Sequence, residues 1–112
     1  MAPSRAMSDQ LIHRGDVWTY KPVIPRPGIS TLRLVVSPNP LNASELLPVV
    51  LAVHIIDESP DSSLAPRIGD FGWAPVTTIE RAVKSRLLER VHTATADELH
   101  AVEEGLRIIL GL

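Results

Sequence analysis

Apolar and polar residues alternate with a period of two in several short stretches, and only the last segment changes to a period of three to four. Residues 16–20 place Val17 and Thr19 on one face and Trp18 and Tyr20 on the other, which predicts a first strand. Residues 32–37 predict a second strand that stops at Pro38-Asn39-Pro40. Residues 49–56 are apolar except for His54, the pattern of a strand buried on both faces. Short strands are expected at 72–79 and 88–92, separated by one helical turn at 83–86. Between the first two strands, Pro22, Pro25, Pro27 and Gly28 exclude central pairing and predict a stiff exposed loop over 21–29. Two prolines and three serines among acidic residues make 57–70 a second loop.

The final element is a helix. Thr95 can accept the backbone amide of Glu98 while Glu98 reaches back, a capping box. Asp97 and Glu98 sit in the first turn, where the helix dipole favours negative charge. Leu99, Val102, Leu106 and Ile109 form one apolar stripe, and Gly111 is placed to end the helix. The stripe is expected to plug an open sheet. Ile108 and Leu110 widen the apolar arc beyond what one sheet needs, so a contribution to a dimer interface is open as well.

Composition narrows the partners. A chain of 112 residues supports one core, so residues 13–112 are read as a single domain and residues 1–12 as a flexible N-terminal arm with only Leu11 and Ile12 to dock. Cysteine is absent, which removes disulfides and thiolate metal sites and suits a reducing cytoplasm. The first ten residues lack the apolar run of a signal peptide, and no stretch approaches the ~20 apolar residues of a membrane span, so a cytoplasmic protein without membrane contact is expected. A formal charge of −2 argues against affinity for nucleic acid through bulk phosphate attraction; any such affinity must come from a small site. Arg81, Lys84, Arg86 and Arg90 alternate with Glu80 and Glu89, which reads as a solvated face.

Several motifs carry no chemistry. Arg14-Gly15-Asp16 is the entry to the first strand, and Asn42-Ala43-Ser44 is an idle glycosylation spelling. The histidines at 13, 54, 92 and 100 form no HExxH or close ligand set, so neither a metal nor another cofactor is expected. Phosphate loops and Gly-x-Ser-x-Gly elbows are missing. What remains is Arg33, facing the same side as Thr31 and Val35, and His54, a polar group that needs a partner or a task. His54 is either a structural histidine bonded to a backbone carbonyl, Asp57 or Glu58, or it meets Arg33 at the sheet surface beneath the loop carrying Arg26.

Arg14-Gly15-Asp16-Val17-Trp18, Leu34-Val35-Val36-Ser37-Pro38-Asn39 and the strand-turn-strand-helix run from Gly72 to Leu112 together resemble the MazF/PemK family of bacterial toxins, relatives of CcdB, from Arg14 onward. The resemblance implies a mainly β, α+β fold: an SH3-like small barrel of curved antiparallel sheet with a C-terminal helix. It further implies a homodimer, a cognate MazE-like antitoxin whose extended tail covers the RNA groove, and metal-independent cleavage of single-stranded RNA to 2′,3′-cyclic phosphate ends. Aligned through Ser37-Pro38 and Thr78-Ile79-Glu80, the family's arginine falls on Thr31, its proline on Leu32, its threonine on His54 and later charged positions on Gly72 and Ala74. Arg33, two residues along on the same face, and His54 are then the catalytic candidates, with Arg26, Thr31 and Arg33 as RNA contacts. Two alternatives stay open. Thr19-Tyr20-Lys21 and Leu32-Arg33-Leu34 are also similar to CcdB, a noncatalytic toxin of DNA gyrase, although Leu110-Gly111-Leu112 lacks the tryptophan expected there. The chain could also be an inactive relative that only binds an antitoxin.

Overall fold

Strand-type alternation is realised as one five-stranded antiparallel sheet and a small hairpin in a computed structural model that describes residues 11–22, 24 and 30–112. In chain order the strands are β1 (Asp16–Tyr20), β2 (Leu32–Val35), β3 (Val49–His54), β4 (Arg67–Ile68), β5 (Gly72–Trp73), β6 (Glu80–Val83) and β7 (Leu87–Thr93). The main sheet has the order β6-β3-β2-β1-β7, and β4 pairs with β5. Its register puts Val17, Leu34 and Val53 in one row and Trp18, Arg33 and His54 in the next, so the two rows face opposite sides.

The connection between β6 and β7 dictates the shape of the sheet. These are its two edges, yet only Lys84–Arg86, a single 3-10 turn, join them. Five flat strands spaced ~4.8 Å apart would separate the edges by about 19 Å. Four peptide links from Val83 to Leu87 span at most about 14 Å. The sheet therefore curls, and Tyr20 of β1 reaches across the inside, its hydroxyl accepting a hydrogen bond from the Val83 amide at 3.2 Å. Trp18, Tyr20, Val35, Val50, Ala52, Ala82 and Leu87 fill the concave side. The edges are not hydrogen-bonded to each other among the described residues, so the SH3-like barrel expected from sequence takes the form of an open, strongly curved antiparallel sheet, with a C-terminal helix as expected.

The convex side carries the larger core. Val17, Leu34, Val53 and Ile55 from the sheet meet Val76 and, from helix α2 (Ala96–Leu110), Val102 and Leu106. The helix is as its sequence signals require: Thr95 and Glu98 form the capping box, and Gly111 ends it at φ 71°. Gly105 lets the helix approach Val76 closely, because a Cβ there would stand 3.1 Å from Val76 Cγ2. Ile108, Leu110 and Leu112 remain exposed, and Leu51 of β3 is 40% exposed, so the third strand is not buried on both faces throughout.

Other boundaries differ from expectation for local reasons. β2 ends at Val35 because the Val36 and Ser37 amides both turn to the Leu51 carbonyl, while Ser37 and Asn42 bond each other. A short helix, α1 (Asn39–Ala43), follows with Pro40 in its first turn, where a missing N–H costs nothing. β3 stops at His54, and Ile56 makes an isolated bridge to Trp73. The stretch 57–70, read as a loop, contains β4, and 72–79, read as one strand, breaks into β5 and a 3-10 turn at Val76–Thr78. Pro75 ends the pairing, since the Ala74 and Val76 amides turn instead to Pro66 and Leu64. β6 itself was not expected, while Arg81 within it and Glu89 and Arg90 of β7 are exposed, as a solvated face requires. Of the N-terminal arm, the described Leu11 is exposed and Ile12 packs on the concave core; residues 1–10 lie outside the described residues.

Gly72 holds the hairpin to β3. It adopts φ 132°, and a Cβ there would lie well inside contact distance of the Ile56 carbonyl oxygen, which accepts the Trp73 amide. Gly72→Ala is expected to lower stability by about 2–4 kcal/mol through strain and the loss of the paired Ile56–Trp73 hydrogen bonds. Urea unfolding at neutral pH checks this; a loss below about 0.5 kcal/mol would mean that the hairpin shifts freely.

Candidate functional site

β2 and β3 bring Arg33 and His54 directly opposite each other, as Cα partners on the concave face. The carboxylate they share comes from the first residue of β6. Ala52 pairs with Glu80, which sets the Glu80 side chain on the same face and two residues along from His54. Arg33 Nε donates to Glu80 Oε2 at 3.0 Å, and His54 Nε2 lies 2.8 Å from Glu80 Oε1. The His54 backbone amide donates to Thr78 Oγ1, whose hydroxyl donates to the Pro75 carbonyl, fixing the end of β3. The carboxylate partner of His54 is therefore Glu80, not Asp57 or Glu58.

Arg33 is only 2% exposed. Its Nη1 donates to the Ser30 carbonyl at 2.6 Å and the Leu32 carbonyl at 2.9 Å, and the guanidinium lies 4.9 Å from the centre of the Tyr20 ring. Buried, the charge is compensated by Glu80 and by two carbonyl dipoles. The His54 and Glu80 side chains are more open, at 22% and 37% exposure. Burial alone would push the Glu80 carboxyl up, but hydrogen bonds from His54 and Arg33 and their charges together hold it below the usual carboxylate range.

Thr31 is exposed, and its carbonyl accepts the Tyr20 amide at 2.6 Å. It borders a cavity of about 350 Å³ with Ser30, Leu32, Ile55, Asp57 and Phe71. Arg33 thus fixes the Ser30 and Leu32 wall of this cavity on one side and Glu80 on the other. Arg26 lies outside the described residues. Gly72 and Ala74, which align with charged family positions, are both buried, and even a Cβ on Gly72 would collide with the Ile56 carbonyl.

Glu80 escaped the sequence reading because it stands among alternating charges. The one available signal was its strand partner: a lone polar residue in an apolar strand needs a buried-side acceptor, and Glu80 is the acid whose alternation with Ala82 puts it on the inward face. His92 has a similar private partner. Its Nε2 lies 3.1 Å from Glu98 Oε1, while Glu98 Oε2 accepts the Gly69 amide at 2.6 Å and Oε1 the Thr95 amide, tying the β4–β5 hairpin to the start of α2. His13 pairs with Asp16. Among the described residues, no three His, Asp or Glu side chains gather where an ion could be held.

Burial pushes the Glu98 carboxyl up, but the Thr95, His92 and Gly69 hydrogen bonds outweigh it and hold the group below the usual range, as at Glu80. A depressed carboxyl stabilises the fold above its unfolded pKa, and that contribution is lost as pH falls through the folded value. The melting temperature is therefore expected to fall as the pH drops below about 4.5, and Glu98→Gln to flatten the descent. An unchanged slope in that variant would remove Glu98 from the account.

No protein-family model matches the sequence, and no curated protein is similar to it in sequence. Solved structures do match. An endoribonuclease from a mycobacterial species is 20% identical, with 92% of this chain and 94% of that chain covered and a TM-score of 0.76. A mycobacterial endoribonuclease in complex with its cognate antitoxin is 21% identical over 90% of this chain and 96% of that one, with a TM-score of 0.77. MazF from Deinococcus radiodurans is 20% identical over 93% of this chain and 100% of that one, with a TM-score of 0.74. The likeness spans nearly the whole of both partners in each comparison, and the five-stranded curved sheet with its C-terminal helix is a MazF-like fold.

Proposed function

We propose that this chain is the toxin half of a toxin–antitoxin pair and that it cleaves single-stranded RNA without a metal ion. The observation that carries the reading is the cluster on the concave face: a partly open imidazole in hydrogen-bond contact with a carboxylate, beside an arginine. Cleavage by the ribose 2′-hydroxyl needs a base for its proton and positive charge near the phosphorane. His54 takes the proton as the O2′–P bond forms. The P–O5′ bond breaks, the departing oxygen takes a proton from water, and a 2′,3′-cyclic phosphate remains. Arg33 contributes its charge from within the sheet; Thr31, just before β2, contacts the RNA chain, and Arg26 is a second RNA contact.

The solved relatives support the partner: the matching structures include an endoribonuclease with its cognate antitoxin and MazE–MazF complexes. An antitoxin segment lying over Thr31 and the cavity beside it would block the RNA path. The exposed Leu51, Leu110 and Leu112 border one cavity and give an apolar surface suited to a homodimer. Among the described residues, no helix is long and apolar enough to cross a membrane, in keeping with the proposed cytoplasmic site of action.

Incubating the purified protein with end-labelled single-stranded RNA, with and without EDTA, tests the proposal. Cleavage that persists in EDTA and leaves cyclic phosphate ends is the expected result. Intact RNA at every protein concentration overturns the enzymatic reading, and gyrase inhibition in its place would mark a binding toxin.

A further inference from the structure

A histidine can act as a base only through the nitrogen that lacks a proton, and its neighbours select which one that is. Here the selection is made by Glu80. A carboxylate accepts hydrogen bonds and donates none, so the 2.8 Å contact requires the proton of neutral His54 to sit on Nε2. Glu80 cannot easily turn away, because its other oxygen is held by Arg33 Nε, and Arg33 is itself anchored by the Ser30 and Leu32 carbonyls and the Tyr20 ring. The remaining ring nitrogen, Nδ1, makes no hydrogen bond to a described residue and is not a buried unpaired atom. Among the described residues, the charged groups facing the imidazole are Glu80 from β6 and Arg33 from β2; Thr78 bonds the His54 backbone amide.

We infer that Glu80 is a positioning residue: it locks His54 as the Nε2–H tautomer and leaves Nδ1 as the atom that takes the ribose 2′-hydroxyl proton. This inference rests on the ribonuclease reading of the site. As the O2′–P bond forms, the 2′ proton moves to Nδ1, and the imidazolium so created keeps its Nε2–H on Glu80, whose negative charge stabilises it. Nδ1 returns the proton to water after the P–O5′ bond has broken. Arg33, besides contributing its charge, holds Glu80 in place, a task that a buried arginine can perform.

Two measurements test this together. Nitrogen-15 NMR of the histidine rings in the intact protein, above the titration of His54, should show Nε2 protonated and Nδ1 bare. In Glu80→Gln the amide oxygen must still face the Arg33 Nε donor, so the amide NH2 faces His54 Nε2 and the tautomer should switch to Nδ1–H; RNA cleavage should fall about 10–100-fold, and the acid limb of the pH–rate profile should move to lower pH. Glu80→Asp keeps the carboxylate and should recover part of the rate and the wild-type limb. A protonated Nδ1 in the wild type overturns the inference, as does a Glu80→Gln protein with unchanged tautomer and pH profile. The wild-type spectrum decides even if Glu80→Gln does not fold. An Nε2–H tautomer in a wild-type protein that cuts no RNA overturns the ribonuclease reading and the proton transfer with it, and so separates that failure from a failure of the positioning.

Discussion

His54→Ala is expected to lower RNA cleavage by about 100-fold or more, the scale lost when a group that moves a proton in the transition state is removed. Its cost in stability should stay below about 1 kcal/mol, because the ring is partly exposed and Glu80 keeps Arg33 as a partner. Arg33→Ala should behave differently. The guanidinium is buried and bonded to Glu80, Ser30 and Leu32, so its removal should cost about 2–4 kcal/mol of stability in addition to cleavage. In the double variant the two losses of transition-state stabilisation should not add, since both act through one site. Melting temperature and cleavage per folded molecule, measured on the same preparations, separate the effects. A His54→Ala protein with a lowered melting temperature and full specific cleavage would show that the imidazole serves only the fold.

Ending the chain after Glu98 should abolish folding. The deletion removes Val102 and Leu106, whose burial contributes about 1.5–3 kcal/mol each, and strips the cover from Val17, Leu34, Val53, Ile55 and Val76. It also removes Leu99, which packs on Gly15 at the entry to β1. Against a total stability of about 5–15 kcal/mol for a domain, such a loss leaves no stable native state, and the protein should be recovered as aggregate. A soluble truncated protein with a cooperative thermal transition would refute the role given to α2.

Where the chain carries its own local signals, sequence and structure agree. β1 occupies the expected residues, and α2 starts at its capping box and ends at its left-handed glycine, because each signal lies within a few residues of the element it controls. The facing of Arg33 and His54 was also legible, since alternation puts each on a definable side of its strand. The burial of Arg33 was not. It depends on Glu80, 47 residues further on, and on a strand whose only fully buried side chain is Ala82. The β4–β5 hairpin has two residues per strand, too few for any period to show; long-range bonds from Ile56 and Glu98 hold it in place.

The curl of the sheet has a consequence for how the protein is made. β1 is the second element from one edge of the sheet, and its outer neighbour β7 arrives late: Asp16 and Thr93 meet across 77 residues. At a synthesis rate of about 5–20 residues per second, β1 waits roughly 4–15 s for that partner. Arg33, His54 and Glu80 are all translated before β7 and α2, yet the core that supports their sheet is closed only by the final helix. The nascent chain therefore holds every residue of the cluster without the surface that arranges them. Assembly of the site is deferred until the last elements have left the ribosome, which gives a partner binding the unfinished chain several seconds in which to act first.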